Sequence, residues 1–242
     1  MQIIPVIDIM NGIVVHGVAG KRSQYRRIQS RLTDSCDPSV LLKQFQEKFG
    51  TTTCYVADLD AIVHQQPNRC TLAELTRSET SLIVDGGVRS VADATDLIDL
   101  GVDSVVVGLE TLPGPDVAEE LIAEFLPQQL ILSLDLRNGS VQSPHPSWSE
   151  KLPIDVASEL IEIGYQSLIV LDVATVGTLE GNSTLEICMQ IKNSHPNVRV
   201  ITGGGVRSIE DLQELRSVDI DGALVASAIH NGQISPQDLR GL

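Results

Sequence analysis

The sequence predicts an α/β fold, a single (β/α)8 barrel of the TIM type with a two-fold internal half-barrel repeat. Three observations carry that prediction. Eight short β-branched runs alternate with amphipathic stretches, and a set of motifs recurs once in the same order. The length, 242 residues with 42% hydrophobic side chains, is close to the roughly 250 residues typical of such a barrel.

The runs lie at residues 2 to 8, 53 to 58, 81 to 84, 104 to 107, 129 to 135, 167 to 172, 198 to 202 and 222 to 225. They are strand-sized and rich in Val, Ile and Leu. Between them, stretches such as Pro38 to Phe49, Ser90 to Leu100, Asp116 to Phe125 and Ser208 to Ser217 read as helices introduced by Ser, Asp or Pro. Alternating strand and helix dictates a parallel sheet, and a count of eight favours closure over an open sheet. Aromatics make up only 3% of the chain, so branched aliphatic side chains must fill the interior.

The repeat divides the chain into halves of about 1–124 and 125–242, each with four strand-helix units. Asp8-Ile-Met-Asn-Gly-Ile-Val is echoed by Asp135-Leu-Arg-Asn-Gly-Ser-Val, and Tyr55-Val-Ala-Asp-Leu by Ile169-Val-Leu-Asp-Val. Asp85-Gly-Gly-Val-Arg-Ser is then matched by Gly203-Gly-Gly-Val-Arg-Ser. In each half a small residue, Gly108 or Ala226, follows 21 residues after the second glycine of the Gly-Gly-Val.

A formal charge of -15 argues against nucleic acid as a partner, so an anionic ligand needs a local site. Cys36, Cys54, Cys70 and Cys188 form no CxxC pair and read as reduced thiols; the five histidines have no metal-like spacing, so no metal is assigned. The first residues carry no basic flank and no apolar run reaches membrane-spanning length. A cytoplasmic protein without membrane partners is expected, either monomer or homodimer.

In a parallel barrel, the carboxyl ends of the strands and the loops after them build the active site on one face. Asp8 and Asp135 end strands one and five, on opposite sides, where a carboxylate pair can act as general acid and base. Singly, either is ordinary chemistry before an Asn-Gly turn. Each Gly-Gly-Val-Arg-Ser lies between a strand and a helix, where glycines let backbone amides approach an oxyanion. Two copies imply two phosphates at opposite edges of one face. Lys21, Arg22, Arg26, Arg27 and Arg31 crowd the loop after strand one, as a lid over an anionic ligand or as a solvated loop. Trp148, after strand five, is placed either to stack on a planar heterocycle or to cover a helix.

Ile3 to Val15, Val56-Ala-Asp-Leu-Asp-Ala61, Gly86-Gly-Val-Arg-Ser90, Gly177-Thr-Leu-Glu-Gly181 and Gly203-Gly-Gly-Val-Arg-Ser208 resemble the histidine-biosynthesis barrels, particularly the ProFAR isomerase branch. The resemblance covers nearly the whole chain. It implies an Amadori rearrangement of an aminoaldose to an aminoketose, on a sugar-phosphate substrate with a phosphate at each end and without cofactor. It makes Asp8 the base that removes the sugar C2 proton and Asp135 the acid that opens the ribose ring. One phosphate cup would be Gly86, Gly87, Arg89 and Gly108; the other, Gly204, Gly205 and the Ala226-Ser227 backbone. Trp148, Gly177 and Thr178 would contact substrate, with Arg22, Arg26 and Arg27 as a possible lid.

Four positions depart from the pattern. Strand six of that branch ends Thr-Asp before an Arg-Asp-Gly-Thr loop, whereas here Leu171-Asp172 leads to Val176-Gly177-Thr178; Asp85 and Ala226 stand where the cups carry glycine. Three readings follow from the residues: a ProFAR isomerase or close analogue, a paralogue acting on another phosphorylated metabolite in a cofactor or one-carbon pathway, and a non-catalytic barrel that binds a phosphorylated ligand.

Overall fold

The computed structural model describes residues 1–17, 20, 24–176 and 183–240. In chain order, the first half contains β1 (Gln2–Met10), β2 (Ile13–His16), β3 (Arg26–Arg27), α1 (Pro38–Phe49), β4 (Thr53–Asp58), α2 (Leu59–His64), α3 (Arg69–Leu75), β5 (Ser81–Asp85), α4 (Val91–Asp99), β6 (Ser104–Gly108) and α5 (Pro115–Glu124). There follow β7 (Leu130–Arg137), β8 (Ser140–Val141), α6 (Pro146–Ser149), α7 (Pro153–Glu162), β9 (Ser167–Asp172), α8 (Leu185–Ser194), β10 (Arg199–Gly203), α9 (Ile209–Ser217), β11 (Gly222–Val225), α10 (Ser227–His230) and α11 (Pro236–Leu239).

Eight strands pair in parallel in the order β1-β4-β5-β6-β7-β9-β10-β11, and β11 returns to β1 through Gln2 opposite Gly222 and Pro5 opposite Val225. The sheet is therefore a closed (β/α)8 barrel, and its eight strands are those expected from the β-branched runs. Local chemistry starts the helices where the sequence says they start. Asp37 caps α1 by accepting the Ser39 amide at 2.8 Å, Pro38 occupies the first turn, and Gly50 ends the helix at φ 63°.

Strand alternation then divides the core in two. Ile4, Tyr55, Ile83, Val106, Ile131, Ile169, Ile201 and Leu224 fill the barrel interior as one cluster, while their neighbours along the strands pack outward against the helices. At the amino-terminal face, Arg199 donates to Gln2 Oε1 at 2.7 Å and Gln2 donates to Thr53 Oγ1 at 2.8 Å. That chain of bonds ties β10, β1 and β4 together beneath the interior layers.

The repeated Asn-Gly turns are conformational copies. Asn11 and Gly12 have φ of 52° and 72°, Asn138 and Gly139 have 51° and 78°, and each pair closes an antiparallel hairpin, β1-β2 or β7-β8. Aspartates at or just past the ends of the neighbouring strands hold them: Asp60 accepts the Asn11 amide at 2.6 Å, and Asp172 accepts those of Asn138 and Gly139 at 3.1 and 2.9 Å.

Candidate active site

A cavity of about 210 Å³ opens among the carboxyl ends of the barrel strands. The alternation that places Ile4 and Ile131 inside the barrel also sends Asp8 on β1 and Ser133 and Asp135 on β7 inward. By the same rule β4 contributes Tyr55 and Ala57, β5 contributes Asp85 and β9 contributes Leu171. Gly108 ends β6 on that side, where a Cβ would come within 3.3 Å of Asp135 Oδ2 and 3.9 Å of Asp85 Oδ2. The missing side chain makes room for both carboxylates.

Those carboxylates modify one another. Burial, reinforced by the nearby Asp85 charge, raises Asp8 from 3.8 to about 7. Burial and Asp85 likewise raise Asp135 to about 8, against the opposing effect of the Ser133 hydroxyl, which donates to Oδ1 at 2.8 Å. The Glu110 amide donates to Asp135 Oδ2 at 3.3 Å. Near neutral pH, Asp135 thus retains a proton while Asp8 is poised to exchange one. Tyr55 donates to Asp85 Oδ2 at 3.4 Å, and burial together with the surrounding carboxylates holds its phenol well above 10, so it stays a donor.

The second-half glycine loop meets this cavity. Gly204, Gly205, Ala226 and Ser227 all line it, and Val176 lies beside them. Gly204 and Gly205 adopt φ of 79° and 91°, conformations that favour glycine, and a Cβ on Gly204 would come within 2.9 Å of Thr175 Oγ1. His16, at the end of β2, adjoins Ala226 and Ser227 in a small side pocket shared with Asp8 and His230. Burial lowers both imidazoles, His230 to about 4.

The first-half loop departs from expectation. Gly86, Gly87 and Arg89 line a separate outer pocket with Gln65, Arg69 and Asp96. The Arg89 guanidinium donates to the carbonyls of Gly87 and Ile62, at 2.5 and 2.6 Å, and so clamps the loop to α2. Gly87 has its own steric requirement, since a Cβ there would stand 2.7 Å from Ile62 Cα. Close backbone packing against α2 thus requires glycine at position 87.

Trp148 lies away from the cavity. It is fully buried on α6, its indole donates to Glu159 of α7 at 3.3 Å, and it does not line the cavity. Its burial and its bond to α7 match the helix-covering placement. Arg26 and Arg27 are exposed on β3, paired with His16 and Val15, and do not line the cavity; Gly20 and Tyr25 of the same loop do. Arg22, Gly177 and Thr178 lie outside the described residues.

Tyr55, Glu110, Arg137 and Gln142 line the cavity without having been singled out as site residues. Tyr55 carried one usable signal: it is the polar member at the position where the second half has Ile169. Among the described residues, no three His, Cys, Asp or Glu side chains are grouped so as to hold a metal ion.

Comparison with known proteins fits this geometry. A family model described as histidine biosynthesis protein matches residues 2–235. A protein of Methanosphaera stadtmanae is 30% identical over 98% of both chains, and one of Listeria welshimeri is 29% identical over 99% of this chain and 97% of its own. Both are named 1-(5-phosphoribosyl)-5-(5-phosphoribosylamino)methylideneamino imidazole-4-carboxamide isomerase, the ProFAR isomerase. An uncharacterized protein of Methanocaldococcus jannaschii is 30% identical over 99% of this chain and 97% of its own. With a family match and full-length relatives at this identity, the chain belongs to the histidine biosynthesis protein family.

Proposed function

We propose that this protein is an aldose-ketose isomerase of the ProFAR type, catalysing an Amadori rearrangement on a phosphoribosyl aminoaldose by acid-base chemistry in the cytoplasm. The observation that carries the reading is the pair Asp8 and Asp135, on β1 and β7, presented to one cavity with ionisation ranges displaced to about 7 and about 8. A general acid and a general base serve best when their pKa values lie near the working pH.

The roles follow from proton inventory. Asp135 keeps its proton in the resting site and delivers it to the ribose ring oxygen as the ring opens to an iminium. Asp8, ionised in the reactive fraction, then removes the C2 proton, leaving an enaminol that gains a proton at C1 and releases the O2 hydroxyl proton to give the aminoketose. Tyr55 and Asp85 are placed to bind sugar hydroxyls between them. The Gly204-Gly205 turn and the Ala226-Ser227 backbone supply amides for phosphate.

Incubation of purified protein with ProFAR, with product separated from substrate by chromatography, tests the reading. Formation of the aminoketose supports it. A folded protein that leaves ProFAR and simpler phosphoribosyl aminoaldoses unchanged contradicts it.

A further inference from the structure

The internal repeat separates what the barrel needs from what the site adds. Tyr55 on β4 and Asp85 at the end of β5 line the cavity with Asp8 and Asp135. Their counterparts in the second half are Ile169 and Gly203, so the same scaffold closes over an isoleucine and a glycine at these two positions. In the first half the pair is a phenol and a carboxylate bonded to each other, Tyr55 donating to Asp85 Oδ2 at 3.4 Å. The other oxygen, Oδ1, accepts the Gly87 amide at 3.0 Å and holds the turn after β5. One oxygen of Asp85 thus shapes the loop, and the other stands with Tyr55 at the cavity.

That oxygen lies close to both members of the catalytic pair. A Cβ on Gly108 would stand 3.9 Å from Asp85 Oδ2 and 3.3 Å from Asp135 Oδ2, so both oxygens occupy the space this glycine leaves. Glu110 also lines the cavity, but Asp85 is the carboxylate whose charge acts on Asp8 and Asp135 alike. The rearrangement adds a proton at the ring oxygen and at C1, and removes one from C2 and from O2. Asp135 serves the ring oxygen, and Asp8 serves the carbons. Two transfers then lack a partner: the proton leaving O2 needs an acceptor, and Asp135 needs a donor to regain its own.

We propose that Asp85 is a third catalytic residue, whose Oδ2 accepts the O2 hydroxyl proton of the enaminol and passes it to Asp135, with Tyr55 as the positioning residue that holds Oδ2 toward the sugar. Each step balances. Asp8, carrying the C2 proton or one exchanged for it with solvent, protonates C1, and the electrons of the C1=C2 double bond form the new C–H bond. The O2–H bond breaks toward Asp85, and its electron pair completes the C2=O bond of the aminoketose. Asp85 then gives the proton to the ionised Asp135, which restores the resting distribution without an outside donor or acceptor. This role rests on the isomerase reading and adds a proton acceptor to it.

Steady-state turnover of ProFAR by the whole protein, followed across pH, tests the role. Asp85→Asn keeps an oxygen for the Gly87 amide, and so guards the loop, but it cannot take the O2 proton. Its kcat should fall by about 10²-fold or more, and the loss should persist at the pH where the variant is most active. Recovery to near the wild-type kcat at lower pH would reduce Asp85 to an electrostatic neighbour of Asp8 and Asp135 and overturn the proposal. Asp85→Gly copies Gly203 and leaves space for a small carboxylate. Sodium formate should raise its kcat severalfold without changing wild type, and a folded variant that formate does not rescue counts against the proposal. Tyr55→Phe should lower kcat about tenfold in wild type and have no further effect in Asp85→Asn, because the bond it removes acts through Asp85. Equal losses in the two backgrounds would contradict that coupling. A wild type that forms no aminoketose removes the isomerase reading itself, whereas an active wild type beside an equally active Asp85→Asn removes only the third proton acceptor.

Discussion

Ser133 and Asp135 project from the same face of β7, and the Ser133 hydroxyl donates to Asp135 Oδ1 at 2.8 Å. The bond favours the ionised carboxylate and so opposes burial and Asp85, which favour the protonated one. Ser133 therefore adjusts the group assigned as general acid without being placed to touch the reacting sugar.

Replacement Ser133→Ala should raise the Asp135 pKa and move the alkaline limb of the kcat profile upward by about one pH unit or less. The general acid must hold its proton, so activity should persist to higher pH in the variant. A pH-rate profile measures this, and a limb that moves downward excludes Asp135 as the acid.

Asp8 makes stability depend on pH in a defined direction. Its folded value of about 7 lies above the ordinary 3.8, so between roughly pH 4 and 7 the folded chain retains a proton that the unfolded chain has released. The contribution of Asp8 to stability consequently falls as pH rises through that window. Asp8→Asn should gain on wild type across it, by about 1–3 kcal/mol above pH 7.5, and the gain should vanish near pH 3.5. Urea unfolding at several pH values tests the sign.

An anion at the second-half cup should change His16. Burial holds this imidazole below 6.5, and it adjoins Ala226 and Ser227. Inorganic phosphate should raise its pKa, because a nearby negative charge favours imidazolium. Titration of the His16 ring protons by NMR, with and without phosphate, should show the shift; identical titrations would place the anion elsewhere.

The amino-terminal face supplies a control. Gln2→Ala removes both the Arg199 and the Thr53 bond, leaving a guanidinium that burial already disfavours. Loss of about 1–3 kcal/mol is expected, with kcat/KM within about twofold of wild type, since residues at this face of a barrel act on stability. Thermal unfolding beside steady-state kinetics separates the two effects.

Architecture was legible in the chain because every barrel strand is a short branched run and helix starts such as Asp37-Pro38 carry their own capping chemistry. Asp8 and Asp135 were legible because the Asn-Gly turns fix strand ends, and strand ends fix what faces the cavity. The first glycine loop was not. Gly86-Gly-Val-Arg-Ser has the same letters as its partner, yet Asp85 turns inward to take the Gly87 amide and Arg89 turns toward α2. Which side chain wins a backbone donor depends on three-dimensional neighbours that the motif does not contain. Trp148 was ambiguous for a related reason, its position after strand five being compatible with stacking on ligand or, as Glu159 and α7 dictate, with burial.

The most direct measurement is turnover of ProFAR in deuterium oxide by wild type, Asp8→Asn and Asp135→Asn. Wild type should form aminoketose bearing solvent deuterium at C1, and each variant should lose kcat by about 10²- to 10⁴-fold while still binding substrate. Undiminished turnover in either variant, or no aminoketose from wild type, would contradict the account.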